Sequence, residues 1–348
     1  MVCFHVQRVR MVLLLLFLAL FFLACNLKNP LPMTIEDIAC HKVRVAPGPE
    51  DFVLDTWHKA PRLLVSSHDR RNPETSGDIF WLDIDTEASG KMPRTGDPEA
   101  IAAFKPHGMD IRHSGSRTLL YVILHDPYAH SKRSENAIAI YEVGQNTLQF
   151  ERLLEDADHL WSPNDLSVLP SGDIYVTNDV HGNLDLYLRA SASEIAYYDN
   201  AAGTWKMVAD DIAFANGILA KPDKVYVTAM FDEKLLAFPR EKDGSLGIPE
   251  TVVSFKGGDN LMPYKNYLLT TAHYDDLAFL GHMKDSGKPA PSIVFMVRPE
   301  INTKHTVYVD TGEMISAAST AMIFKDKLYI SQVFEPYIVV GEVPVFMR

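Results

Sequence analysis

Side-chain oxygens come in adjacent pairs at several points of this 348-residue sequence: Glu50-Asp51, Asn164-Asp165 and Asp259-Asn260, with Asn216-Gly217 as a half-pair. Each opens a short apolar run of the kind that forms a strand. Asn and Asp are poor strand formers, so sheet stability does not account for them there. Carboxylates and amides without thiolates suit a hard cation, and Ca²⁺ accepts about six to eight oxygens with tolerant geometry. Neighbouring side chains on an extended chain point opposite ways. A pair such as Glu50-Asp51 therefore sends one oxygen group forward and the other back, which two stacked ions explain better than one. Any single pair has a plainer explanation, because Asn and Asp cap turns through hydrogen bonds to the backbone. Several pairs in register favour the cation.

The elements that would bring these pairs together are strands. From residue 50 onward the apolar runs are short, as in "RLLVSSH" (62–68), "DIYVTND" (173–179) and "KVYVTAM" (224–230), with turn clusters such as "PSGD" and "KPDK" between them. That density, with no convincing helical stretch, predicts an all-β protein. Four segments share one plan: "NDLSVLPSGDIYVTND", "NGILAKPDKVYVTAM", "DNLMPYKNYLLTTAH" and "STAMIFKDKLYISQV". Each has a polar or small head, a short strand, a turn, and a second strand of the form x-Tyr-hydrophobic-Thr/Ser. Four strands repeated at about 40–60 residues predict the blades of a β-propeller. "EDFVLDTW" with "RLLVSSH", and "HGMDIRH" with "TLLYVILH", bring the blades to six. Innermost propeller strands all start at one end of the central channel. The heads Glu50-Asp51, His107-Gly108, Asn164-Asp165, Asn216-Gly217, Asp259-Asn260 and Ser319-Thr320 then converge on one axis.

Composition sets the outer bounds. Hydrophobic residues at 47% and charged residues at 22% are an ordinary globular mixture able to bury a core. A formal net charge of −12 without a basic cluster argues against a nucleic-acid partner. Arg8 and Arg10 precede "MVLLLLFLALFFLA" (11–24), too short for a membrane span and suited to an export signal. Ala24 before Cys25 fits lipoprotein processing, although Phe22 and Leu23 fit it imperfectly. Ordinary cleavage and a retained anchor are the alternatives, so membrane attachment through the N-terminus stays open. Residues 1–24 are expected to be this leader, 25–39 a linker and 40–348 the propeller. Cys40 is the one cysteine inside the propeller, so no disulfide framework is expected. The absence of any Asn-x-Ser/Thr acceptor leans towards a bacterial source, with a periplasmic or outer-membrane location.

"PEDF", "KPHGMD", "SPNDLSVLPSGDIYVTND", "FANGI" and "GGDNL" resemble, in order and spacing, the motifs of the paraoxonase (arylesterase) family, over about residues 38–345. The family's members are six-bladed, calcium-dependent propellers that hydrolyse lactones and aryl esters. The resemblance implies two calcium ions per chain. A catalytic ion would lie on Glu50, Asn164, Asn216, Asp259 and Asn260. A deeper, structural ion would lie on Asp51, Asp165 and the backbone carbonyl of Met109. It also implies that His107 activates water with His125 relaying the proton, and that Asp179 and His273 pair as supporting groups. His113, His130, His181 and His282 match no motif and are expected at the surface.

Departures from the family concern closure and the pocket. Cys40 matches the first partner of a disulfide in animal members, but the chain ends "VGEVPVFMR" without a second cysteine. Ring closure must then rest on strand pairing and packing. The stretch 182–194 looks short and the loop 125–137 long, so the natural lactone or ester does not carry over. Phe214, Met230, Phe231 and Phe334 are candidates for an apolar mouth. A single-metal lactonase of the gluconolactonase/regucalcin type is the nearest alternative, and a non-enzymatic surface-binding propeller is a more distant one. A metal-free relative of the strictosidine synthase type would not need this set of oxygens.

Overall fold

The computed structural model describes residues 31, 32, 34, 38–58, 60–99, 101–127, 136–180, 188–344 and 347. The expected leader, with Cys25, lies outside them, as do His130 and His181.

Six sheets follow one another along the chain, antiparallel except where Arg94–Thr95 pairs parallel with Leu148–Glu155 at the edge of the second. Their inner strands are Pro49–Asp55, Pro106–Ser114, Pro163–Val168, Ala215–Ala220, Gly258–Tyr264 and Ala318–Phe324, heading blades 1 to 6. This is the six-bladed β-propeller the repeat predicts. Every expected head occupies the second and third residues of its inner strand. A register shift against the second strand falls at the same place in all six, for example between Pro163 and Leu166 and between Ala215 and Ile218. Such bulges aim a side chain away from the regular pleat.

Buried apolar side chains cement neighbouring blades. Leu64, Ile79, Met109 and Leu120 pack together between blades 1 and 2, and Tyr175, Ile195, Ile218 and Val227 between blades 3 and 4. The second strands read as continuous apolar runs because both faces are covered; Arg62–Ser67 is buried at every position. Each such Leu, Ile or Val contributes roughly 1.5–3 kcal/mol by leaving water.

The ring closes by pairing across the ends of the chain. Cys40–Arg44 runs antiparallel to Tyr337–Glu342, from Cys40 opposite Gly341 to Arg44 opposite Tyr337, and becomes the outer strand of blade 6. Val43 enters a cluster with Phe52, Tyr329 and Ile338, which joins blades 6 and 1. Cys40 is a free thiol.

Two expectations fail here. Asp276–Lys284, between the second and third strands of blade 5, is an α-helix. Its local signal is an N-cap, with the Asp275 side chain accepting from Ala278 N at 3.0 Å. Its apolar residues do not form one stripe, since Leu277 and Leu280 are exposed while Phe279 turns inward, so periodicity did not reveal it. His282, expected at the surface, is buried on this helix. It contacts Glu335 Oε2 at 3.0 Å and the Lys288 carbonyl at 2.7 Å, beside the Phe334 ring.

Val43→Asp places a carboxylate in the closing cluster and is expected to cost on the order of 3 kcal/mol, read as a lowered midpoint in urea unfolding. An unchanged midpoint would show that the ring does not depend on this strand.

Candidate active site

The heads are tied to one another by a repeated hydroxyl. Thr177 Oγ1 donates to the Asn216 carbonyl at 2.6 Å, Thr228 to that of Asp259 at 2.9 Å and Ser331 to that of Glu50 at 2.5 Å; Thr271 does the same for Ser319. This is the physical content of the Thr/Ser that closes the repeated second strand: it stitches blades 3, 4, 5 and 6 each to the head of the next. Carboxylates add a second tier. Asp51 Oδ2 accepts from Met109 N at 2.7 Å, Asp110 Oδ2 from Val168 N at 2.7 Å and Asp165 Oδ2 from Ile218 N at 2.9 Å. Two heads carry Gly because the next inner strand passes too close for a side chain. A Cβ at Gly108 would lie 2.6 Å from the Asn164 carbonyl oxygen, and one at Gly217 2.5 Å from that of Asp259.

At the mouth of the channel the expected ligands meet. Asn260 Nδ2 donates to Glu50 Oε1 at 3.1 Å and to Thr320 Oγ1 at 2.9 Å, and Ser319 Oγ donates to the same Glu50 oxygen at 2.6 Å. Glu50, Asn216, Asp259 and Asn260 are all buried. Three of their oxygens, Glu50 Oε2, Asn216 Oδ1 and Asn260 Oδ1, accept no hydrogen bond. Buried acceptors are normally satisfied. Three orphans from three blades, beside the Asp259 carboxylate, fit a hard cation. Among the described residues no three His, Cys, Asp or Glu side chains gather closely enough to hold a metal unaided. The set depends on its amides. Asn164 lies half-buried at the side of this group, its Nδ2 donating to Asp179 Oδ2 at 3.3 Å.

The deeper pair is arranged differently. Asp51 accepts from Phe52 N, Met109 N and Thr320 Oγ1, and Asp165 from Leu166 N and Ile218 N. Met109 thus reaches Asp51 through its N–H. Burial pushes both carboxyls well above the usual range, followed by the neighbouring charge of Glu50 for Asp51 and of Asp51 for Asp165. Burial also raises the Glu50 carboxyl, against the pull of Arg70. Below this pair the channel widens into a cavity of about 550 Å³, with Leu54, Ile111, Leu219, Met262 and Phe324 on its walls. Asp110, which the sequence did not single out, also faces it, its carboxyl pushed up to about 6 by burial.

His107 and His125 lie together, ring centroids 4.6 Å apart. Burial lowers the proton affinity of both, most strongly for His107, where His125 and Arg70 add to it. His125 Nε2 donates to the Pro163 carbonyl at 2.8 Å, which leaves its Nδ1 as the acceptor. His107 Nδ1 instead accepts from Arg70 at 2.7 Å. Arg70, which no motif singles out, stands beside the expected base. The pairing of Asp179 with His273 is corrected. His273 Nε2 is 2.8 Å from Asp259 Oδ2, within its own blade, whereas Asp179 accepts from Ser162 Oγ, Asn164 Nδ2 and Val180 N. His273 ends the second strand of its blade, and His125 and His68 directly follow the second strands of blades 2 and 1. The in-register series His68, His125, Asp179, His273 was the signal available.

The family model for arylesterases matches residues 66–339, more than half of the chain. The chain belongs to the arylesterase family. Serum paraoxonase/arylesterase 1 of Rattus norvegicus is 25% identical over 280 residues, 76% of each chain. That of Mus musculus is 24% identical over 330 residues, 89% of this chain and 86% of its own. Among solved structures, a luciferin-regenerating enzyme superposes with a TM-score of 0.57 at 12% identity, covering 88% of this chain and 95% of that one. The calcium-binding protein regucalcin of Agrobacterium tumefaciens gives 0.56 at 13%, covering 90% and 96%. At those identities the structures speak for the fold alone. As an arylesterase-family protein the chain is a hydrolase of the esterase/lactonase type, and a non-enzymatic role is set aside.

Removing one stitch tests how the heads are held. Thr228→Val keeps the shape and deletes the donor to the Asp259 carbonyl, with an expected cost of about 1–3 kcal/mol in urea unfolding. A neutral substitution would mean that packing alone sets the head of blade 5.

Proposed function

We propose that this arylesterase-family protein is a calcium-dependent hydrolase of lactones and aryl esters. The observation that carries this reading is the trio of buried oxygens on Glu50, Asn216 and Asn260 that accept no hydrogen bond. With Asn164 and Asp259 these residues would hold the catalytic calcium. When bound, the ion supplies Lewis acidity, polarising the ester carbonyl and stabilising the charge that develops on its oxygen. The chain's own part is to orient those oxygens and to move a proton. His125, its Nε2 fixed on the Pro163 carbonyl, offers Nδ1 to take a proton from water. His107 lies against it with Nδ1 engaged by Arg70. This exchanges the roles first expected of the two rings. His273 on Asp259 keeps that carboxylate oriented towards the cluster. Asp179, bonded to Asn164, does the same for the amide.

A second ion, on Asp51, Asp165 and Met109, belongs to the same proposal. The single-metal reading has one observation in its favour: backbone N–H groups already bond oxygens of both deep carboxylates. A count of calcium per chain separates the two. The leader at 1–24 supports export, with lipid attachment at Cys25 as one route to a membrane.

The test is proton release from a panel of γ- and δ-lactones by the purified full chain in detergent, before chelation, after it, and after calcium is restored. Turnover that vanishes and returns is expected. Asn216→Ala should abolish it and His125→Gln should lower it by about 10²–10⁴-fold, the usual worth of a general base. Turnover indifferent to chelation would remove calcium from the reaction. Full turnover in His125→Gln would remove the base.

A further inference from the structure

We propose that Arg70 is a positioning residue: a guanidinium fixed at the edge of the cation cluster that weakens cation binding there. The proposal rests on the calcium reading given above.

Arg70 follows the second strand of blade 1, and its side chain is only 17% exposed. Nη1 donates to the Gly48 and His68 carbonyls at 3.1 and 3.4 Å. Nη2 donates to the Pro106 carbonyl at 3.4 Å and to His107 Nδ1 at 2.7 Å. Towards the cluster, Nη2 stands 3.5 Å from Glu50 Oε2, which accepts no hydrogen bond from it. Arg70 is therefore held by backbone carbonyls and an imidazole in addition to its ion pair with the carboxylate it faces. Those further bonds decide what happens when a cation enters. A guanidinium held only by Glu50 could swing away. Here, moving it would strand its N–H groups in a site with little water, at a cost of several hydrogen bonds. The charge stays, and an incoming ion meets a permanent cation beside one of its own ligand oxygens.

The surrounding charges make that repulsion count. The carboxylates of Glu50, Asp259 and Asp51 all bear on Arg70. Part of the negative potential that would attract a metal is thereby spent on a side chain. In a partly desolvated site one unit charge a few ångström away changes ion affinity by about tenfold or more. The expected consequence is a catalytic ion held more loosely than the same oxygens would hold it alone.

The experiment is isothermal titration of the full chain in detergent with calcium, after chelator treatment and exchange into calcium-free buffer. Arg70→Gln removes the charge and keeps donors, and is expected to bind about tenfold tighter or more. Arg70→Lys keeps the charge and should stay within about threefold of the parent. Arg70→Met, similar in length and uncharged, stands in if the glutamine variant does not fold. Damage to the fold weakens binding, so tighter binding cannot be its result. Equal or weaker calcium affinity in folded Arg70→Gln or Arg70→Met overturns the proposal and leaves the calcium reading intact. No calcium binding by the parent or any variant overturns both.

Discussion

The burial of oxygen on the axis is the constraint from which the rest of this molecule follows. Glu50, Asp51, Asp165 and Asp259 all leave water within one channel, together with the amides of Asn216 and Asn260. Such groups are tolerated in a low-dielectric interior only when donors or a cation face them. The fold meets this demand in two ways at two depths. In the deeper tier, backbone N–H groups of the neighbouring blade answer the carboxylates, as Met109 N does for Asp51 and Ile218 N for Asp165. At the mouth, three oxygens accept no hydrogen bond, and of these Glu50 Oε2 faces the Arg70 guanidinium at 3.5 Å. The difference in donor supply, rather than the residue types, separates a structural tier from one open to chemistry.

What the sequence made legible was whatever repeats. The doublets, the tyrosine-bearing second strands and their terminal Thr or Ser recur from blade to blade, so the fold and the heads that face the axis follow from register. The histidines His107 and His125 came from motif resemblance, and the structure does bring them together. Contacts made once in the ring carry no such signature. Arg70 sits in a loop peculiar to blade 1. The helix Asp276–Lys284 is an insertion in blade 5, held by a cap and by Phe279 against His273. The pairing of His273 was assigned across blades, although a partner within its own blade, Asp259, was nearer. An in-blade contact of that kind follows from the bulge at the head, which a pattern of residue types does not display.

Charge also settles a matter that residue identity leaves open: which of two adjacent imidazoles is free to accept a proton. Both rings are half-buried, burial lowers the proton affinity of each, and the hydrogen bonds leave Nδ1 as the accepting nitrogen of both. They differ in what stands opposite that nitrogen. Arg70 occupies it in His107, while in His125 the Pro163 carbonyl takes the other nitrogen and leaves Nδ1 available. A single arginine thus sets the electrostatics of the ion cluster and the usable lone pair of its neighbour.

The seam of the ring is where these threads meet. Without a disulfide, blades 6 and 1 are joined by the Cys40–Arg44 strand and the packing around Val43. Glu50 lies on that same seam. Its backbone carbonyl accepts from Thr320 and Ser331, and its carboxylate from Ser319, all in blade 6, and from Asn260 in blade 5. The residue that brings an orphaned oxygen to the mouth is therefore also the residue on which the last blade docks. Any loosening of closure would be felt first at Glu50, as a shift of one ligand relative to Asn216 and Asp259 on the far side of the channel. A hard cation binding there would in turn draw blades 1, 4 and 5 towards a common centre and tighten the seam. Ring closure and the placing of that buried oxygen thus run through one carboxylate, which ties the channel mouth to the seam that strand pairing and packing hold.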